Sequence, residues 1–477
     1  MDASRYFTHA KHLEVYGIGY FFKEWGKNIT VWTDLPVVPF IYGMIFKFFG
    51  ESRFYIQIFT TFLFSLTVVL TYLIGKTLWD EDVGLFGGML LMGIPYLLIQ
   101  TPLMLVDVPT MFFLTLSIFS FIQGLKKGGA WMIMLSSIAI FLAFFSKYST
   151  WLMLSVLVVI FLVHLISMPH AHNSELRTQN YVYRGSIIIL IATLLIGVVF
   201  LYKSDVFSEQ IKLLTSYQRP GLRRWGESFI STFFFQIHPF ITIAALYSIY
   251  VAFKKKDVKY AIISWLVVLI FLFQINRIRY IIMVFPMLAL MASYGIREIK
   301  GIELRKFIAY CVVISSLVVA IFTYLPFLQK ISTVNLKDAG KYLDSLDAEN
   351  IEVFTLPPIK SVVNPAVSVP ILDLFTEKRI YYDYNPVFSL TSEEIEKSPL
   401  RFTWEYKNPG YYNEGKLGKK LKSTKVVAVI SGEAEDNFPS SLEQKLKYYR
   451  MVKEFKTSNE LFHYDTRVKI YVLANRP

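Results

Sequence analysis

Five ionisable residues stand beside long apolar stretches, where charge is costly: Asp2, Asp107, Lys147, Arg277 and Arg279. A charged side chain near the hydrocarbon of a bilayer persists where it pairs or works. Acids and bases gathered at one membrane face suit a transfer reaction that involves a phosphate. A carboxylate accepts the proton of an attacking hydroxyl, while Arg and Lys stabilise the charge that grows on the departing phosphate. Each residue also has a plainer explanation. Asp107, in Leu105-Val106-Asp107-Val108-Pro109, could cap the start of a helix. Lys147 could snorkel from a helix end, Arg277 and Arg279 could anchor an interface, and Asp2 could belong to an unordered terminus. Their common side, next to a long polar loop ahead of the first clear span, favours the chemical reading.

That common side follows from the elements that carry them. The chain has 477 residues, of which 54% are hydrophobic and 18% charged, with a mean hydropathy of +0.45, too apolar for a soluble domain of this length. Its 41 Phe and 30 Tyr suit lipid-facing helices and interfacial rings. A helix needs roughly 17–25 apolar residues to span a bilayer. Ten stretches qualify, near 53–75, 83–101, 106–124, 130–146, 148–167, 186–203, 229–252, 259–275, 281–298 and 306–325. Basic residues in short loops mark the cytoplasmic side. Lys126 and Lys127, Arg177 and Arg184, the run from Lys254 to Lys259, and Arg297, Lys300, Arg305 and Lys306 all fall on one side when the segments alternate. The opposite side receives residues 1–52, Asp107, Lys147, the loop 204–228, the turn from Asn276 to Tyr280, and everything after about 327. Arg219, Arg223 and Arg224 in the 204–228 loop run against the rule, which points to a local task.

Three parts emerge: a first extracytoplasmic loop at 1–52, a transmembrane domain at 53–326 and a soluble extracytoplasmic α/β domain at 327–477. In the last part, strands are expected at 351–355, 379–384, 425–430 and 468–473, and amphipathic helices near 336–346 and 440–449. In the first part, Trp32-Thr33-Asp34-Leu35-Pro36 precedes Phe40 to Phe49, which is too short to cross and is expected to lie along the interface, where it could guide a lipid. The lone Cys311 excludes a disulfide within the chain. The formal net charge of +13 lies largely in loops between apolar segments, which argues against nucleic acid as a partner. No ordinary signal peptide opens the chain, because Asp2 to His12 is polar. An outer domain without disulfides fits a bacterial or archaeal plasma membrane.

Several of these segments together resemble a known superfamily. Asp2-Ala3-Ser4-Arg5-Tyr6 with Ala10 and Leu13, then Asp34-Leu35-Pro36 to Gly50-Glu51-Ser52, is similar to the first extracytoplasmic loop of the C-type polytopic glycosyltransferases that use polyprenyl-phosphate sugars. These include the protein O-mannosyltransferases and the aminoarabinose transferases of lipid A. Leu105 to Pro109, Ser146-Lys147-Tyr148-Ser149, and Arg279-Tyr280 with Pro286 follow in the order of that superfamily. The resemblance covers roughly residues 1–300 and implies a polytopic α-helical enzyme that transfers its sugar with inversion. It implies Asp2 as the base on the acceptor hydroxyl. Arg279, Arg277, Lys147 and Tyr280 would hold the donor phosphate, and Asp107, with Tyr6 and Asp34, would line the acceptor side of the cavity. Many relatives have Asp-Glu where this chain has Asp2-Ala3, and they carry a spanning helix ahead of the motif; a start assigned downstream of that helix is the expected reason the motif begins at residue 2.

The implied partners are a polyprenyl-phosphate sugar, the lipid bilayer, and an acceptor that is a protein, a lipid or a glycan. Metal dependence stays open. His9 and His12 share a helical face near Asp2 and could ligate a divalent ion, although paired histidines on a polar helix are more often solvated. A multi-pass transporter or lipid flippase is the competing reading, but such proteins place charge near the midplane and show paired repeats. A receptor or non-catalytic subunit would need only one anchoring helix.

Overall fold

A computed structural model describes the chain apart from Met1, Thr33 and residues 168–173, 219–226, 357–362, 384–390, 399, 414–423, 433–437, 458–464 and 475–477; at 174–178, 218, 392 and 397 it describes the backbone alone. Arg219, Arg223 and Arg224 therefore lie outside the described residues. The chain forms two compact units. A helical unit takes in residues 33–38 and 57–324, and a sheet unit takes in 1–32, 39–56 and 325–477.

Among the described residues, six helices are long and apolar enough to cross a membrane: Arg53–Leu78, Asp107–Lys127, Ser149–Ile166, Gln179–Tyr202, Ile278–Ile296 and Ile302–Gln329. They arise from six of the ten apolar stretches, and the other four give shorter or broken helices. The stretch at 83–101 divides into Glu81–Met92 and Pro95–Gln100, because Gly93 closes the first helix and Pro95 has no N–H with which to continue it. The stretch at 229–252 divides at His238, where extended backbone separates the π-helical turn Ser231–Ile237 from Pro239–Lys255. Ala130–Phe144 and Tyr260–Leu272 are single helices of 15 and 13 residues.

We label Asp2–Glu24 α1, Asp107–Lys127 α2 and Ile278–Ile296 α3. α2 and α3 are the buried pair, with 89% of the apolar window of each inside the protein, against 17% for Gln179–Tyr202. Lipid tails are as apolar as leucine, so membrane helices associate through close packing at small residues. Gly84 shows this: a Cβ placed there would stand 2.4 Å from the Tyr72 carbonyl oxygen of the neighbouring helix.

In the sheet unit, β1 (Asn350–Thr355), β2 (Arg379–Tyr381), β3 (Val426–Ser431), β4 (Tyr449–Phe455) and β5 (Arg467–Leu473) form one sheet in the order β2-β1-β3-β5-β4. β1 runs parallel to β2 and β3, whereas β5 is antiparallel to β3 and β4. Alternate residues of β1 are buried, and β3, the central strand, is buried throughout. β4 lies where the sequence reading has only the end of a helix. It is an edge strand, irregular between Met451 and Lys453, and its Arg450, Lys453 and Glu454 hide the period-two signal. The helix before it stops at Leu446.

α1 belongs to the sheet unit and kinks at Gly17, whose φ of +86° lies in the left-handed region. Its Phe7 packs edge-on to Phe46 at 5.5 Å. Lys11 is half-buried, and its Nζ donates to Glu51 at 2.9 Å and to Asp373 Oδ2 at 2.7 Å. Tyr412 donates its hydroxyl to the same Asp373 oxygen at 2.8 Å. Burial pushes Glu51 up to about 8, with the neighbouring Glu14 adding to the effect and Lys11 opposing it. Burial also lifts Asp373 to about 6 against the pull of Lys11. Burial lowers Lys11, but the two carboxylates outweigh it and leave the ammonium harder to deprotonate than usual.

Two outcomes are expected. Both raised carboxyls bind protons in the folded state that they would release on unfolding, so stability falls as pH rises from their ordinary values through about 6 for Asp373 and about 8 for Glu51. Melting of the purified chain in detergent should therefore drop between pH 6 and 8, and Glu51→Gln should flatten that slope; an unchanged slope contradicts it. Gly84→Val should lower the melting point through overpacking worth about 1–3 kcal/mol, whereas Gly197→Ala, with nothing within 4 Å of a Cβ built at 197, should leave it unchanged.

Candidate active site

The strongest constellation in the helical unit is built around Asp107. Val106, not Asp107, stands at the N-cap position of α2 and makes no side-chain cap, so Asp107 is the first residue of the helix proper. Its carboxylate is turned to two cations. Lys147 Nζ donates to Oδ1 at 2.5 Å and Arg279 Nε donates to Oδ2 at 2.8 Å. The Asp107 side chain is 1% exposed, and Lys147 and Arg279 are 16% and 17% exposed. Each cation thus keeps an edge toward open space while the acid beneath them is sealed. The Lys147 ammonium also reaches the Arg279 carbonyl at 3.5 Å.

Each group comes from a different element. Asp107 opens α2, Arg279 lies in the first turn of α3, and Lys147 sits in the break between Ala130–Phe144 and the helix from Ser149. The break forms because Phe145 closes one helix before Tyr148 starts the next. Tyr280 completes the cluster: the Lys147 ammonium lies 5.2 Å from its ring centre and the Arg277 guanidinium 5.3 Å, both at cation–π range. Arg277 Nη1 also donates to the Tyr280 hydroxyl at 3.4 Å.

Glu227 is a member that sequence reasoning missed. It accepts the Ile278 backbone N–H at 2.8 Å, one of the donors left over at the start of α3, and lies 3.9 Å from Arg277 Nε. Thr232 donates to the Asn276 carbonyl at 2.7 Å, so the short segment that carries both arginines is fastened on two sides. The only sequence signal for Glu227 is an acid at the end of an otherwise basic loop. Tyr96 stands within electrostatic reach of Asp107, Glu227, Arg277 and Arg279. Among the described residues, three cations meet two carboxylates here.

The remaining expected residues are placed as follows. Asp34 is buried in the helical unit, its carbonyl accepting from Gln210 at 3.3 Å and its carboxylate acting on Tyr148. Asp2 and Tyr6 lie on α1 in the sheet unit. Asp2 is held in the first helical turn, 3.4 Å from Arg5 Nη2, with its side chain 24% exposed, and Tyr6 is buried. His9 and His12 are both buried, and each spends a ring nitrogen on a backbone carbonyl: His9 Nε2 on Thr30 at 3.0 Å and His12 Nδ1 on Thr8 at 2.7 Å. Burial lowers His12 to about 4. Among the described residues, no group of three or more His, Cys, Asp or Glu is arranged to hold a metal ion.

Comparison with known proteins bears on this arrangement. Residues 34–202 match the family described as dolichyl-phosphate-mannose-protein mannosyltransferase. In fold, the chain is similar to ArnT from Cupriavidus metallidurans bound to undecaprenyl phosphate, with a TM-score of 0.54 at 10% identity, covering 98% of this chain and 93% of that one. The apo state of the same ArnT gives 0.54 at 9% identity with the same coverage. The apo oligosaccharyltransferase of Archaeoglobus fulgidus gives a TM-score of 0.50 at 12% identity, covering 98% of this chain and 71% of that one. No curated protein matches in sequence. Residues 34–202 thus match that mannosyltransferase family in sequence, and along its length the chain has a fold similar to those of ArnT and the oligosaccharyltransferase.

Proposed function

We propose that the protein transfers a sugar from a polyprenyl-phosphate carrier to an acceptor hydroxyl on the extracytoplasmic face of the plasma membrane, with inversion at the anomeric carbon. In this reading Asp2 takes the acceptor proton, and the acceptor oxygen forms a bond to the anomeric carbon. The bond from that carbon to the phosphate oxygen breaks, and the lipid phosphate leaves with the electron pair. All ten apolar stretches enter the membrane, and residues 327–477 lie outside it as a soluble domain.

The observation that carries the proposal is the buried carboxylate of Asp107 with Lys147 and Arg279 set on it. A guanidinium has five N–H donors in a planar fork, so Arg279 can give its Nε to Asp107 and still present the geometry that suits a phosphate. Arg277 adds charge from the same segment, and Tyr280 keeps both cations near its ring. Cations set in place at a site of low dielectric favour an anion that arrives with the substrate and becomes more negative as it departs. Asp107 is then an orienter of the phosphate-binding cations, a narrower role than lining the acceptor side. The assignment of Asp2 as base rests on the sequence resemblance. The fold likeness to an ArnT that binds undecaprenyl phosphate supports the donor class.

Purified protein in lipid, supplied with radiolabelled polyprenyl-phosphate mannose, glucose and aminoarabinose in turn, tests this. Release of lipid phosphate should occur with one of the three. Asp2→Ala should lower kcat by about 10²–10⁴, the usual share of a general base, with donor affinity unchanged. Arg279→Ala should weaken donor binding as well as turnover. Normal transfer by both variants contradicts the assignment. Asp107→Asn removes the anion that two half-buried cations share. It should lower stability by about 3–5 kcal/mol, the usual effect of breaking a buried pair, read as a fall in melting temperature that Asp107→Glu partly restores.

A further inference from the structure

α1 is bound to the C-terminal part of the sheet unit along its first three turns. The Arg5 guanidinium lies over Phe402 at 4.7 Å, the Thr8 hydroxyl meets that of Tyr406 at 3.5 Å, and the His12 ring packs edge-on to Tyr411 at 5.1 Å. These contacts tolerate sliding, since rings and a long hydroxyl contact accept several geometries. The Lys11 pairing does not. Its ammonium is held between Asp373 and Glu51, and Asp373, itself 3% exposed, is pinned from the other side by Tyr412. The ion pairs of Lys11 reach outside α1, to Glu51 and Asp373.

A buried ion pair adds little net stability over apolar side chains of the same volume, but it penalises every arrangement that strands one of its charges. Its best-attested use is to fix register. Lys11 is nine residues beyond Asp2 and precedes the Gly17 kink, so the two share one straight stretch of helix about 14 Å long. A shift of α1 by one turn at Lys11 carries Asp2 with it.

We infer that Lys11 is a positioning residue: its pairing with Asp373 and Glu51 sets α1 in one register against the C-terminal domain and thereby sets Asp2. The C-terminal domain is then part of the catalytic apparatus, holding the base rather than touching the substrate. The inference rests on the reading of Asp2 as the base.

The test replaces the pair by apolar groups, Lys11→Met with Asp373→Leu, in the full chain in lipid. Spin labels on Val15→Cys and Tyr448→Cys, in a Cys311→Ser background, report the register of α1 by pulsed electron resonance independently of catalysis; all three positions are exposed. The native pair should give one narrow distance distribution, and the double variant a broad or shifted one, at a melting temperature within a few degrees of the native. Its kcat should fall at least tenfold, since misplacement of a catalytic group by about 1 Å can cost 10²-fold, with KM for the lipid donor unchanged. Lys11→Arg should restore most of both. A narrow, unshifted distribution in the double variant overturns the inference, as does a broad one with native kcat. Should Asp2→Ala prove fully active, the base assignment fails, and the label distances still decide whether Lys11 holds the helix.

Discussion

The helical unit turns on a single buried carboxylate. Asp107 is sealed from solvent, and an isolated ionised acid there would be unsustainable without compensation. Lys147 and Arg279 supply it from 40 and 172 residues further along the chain. Three separate elements must therefore converge at one point, and the start of α2 cannot move without exposing or stranding a charge. α2 and α3, the two helices that carry Asp107 and Arg279, are also the two most completely buried of the six apolar spans. The ionic centre and the packing centre of the unit coincide.

Around that pair the remaining helices are arranged by close contact at small residues and by ion pairs such as Arg305 with Asp82 and Arg297 with Asp80. Gly84 lets one helix approach the Tyr72 carbonyl closely, and Gly295, near the end of α3, lies against the Ala244 carbonyl, where a Cβ would stand 2.4 Å away. Helices such as Gln179–Tyr202 leave most of their apolar surface outside the protein. Lipid covers such a surface as well as another helix would, so position is set by small residues and shape. The sheet unit follows a different rule. Its core is an ordinary hydrophobic one, with β3 buried along its length, and the charge it encloses is Lys11 with its two acids.

Much of the fold was legible. Hydrocarbon thickness fixes the length of a span, so continuous apolar stretches announce themselves, and six of ten became helices long enough to cross. The others were obscured by local events that composition averages away: Pro95 after Gly93, Pro239 after His238. Four strands were visible as short apolar runs rich in β-branched and aromatic residues, and β4 was hidden by the charges an edge strand carries in self-defence. Of the candidate site, Asp107, Lys147, Arg277 and Arg279 were named from their place at the ends of apolar stretches and Tyr280 from the family resemblance, and the five come together.

By itself, the sequence determined that this chain belongs in a bilayer, which residues are costly there, and therefore which ones require partners. Those conclusions need only composition, segment length and the free energy of burying charge. Only the tertiary structure decided who the partners are. That Asp107 holds Lys147 and Arg279, that Glu227 fastens the start of α3, and that Lys11 reaches Asp373 across 362 residues are long-range pairings. No local propensity encodes them, because each pairing depends on where the packing of whole helices brings the backbone.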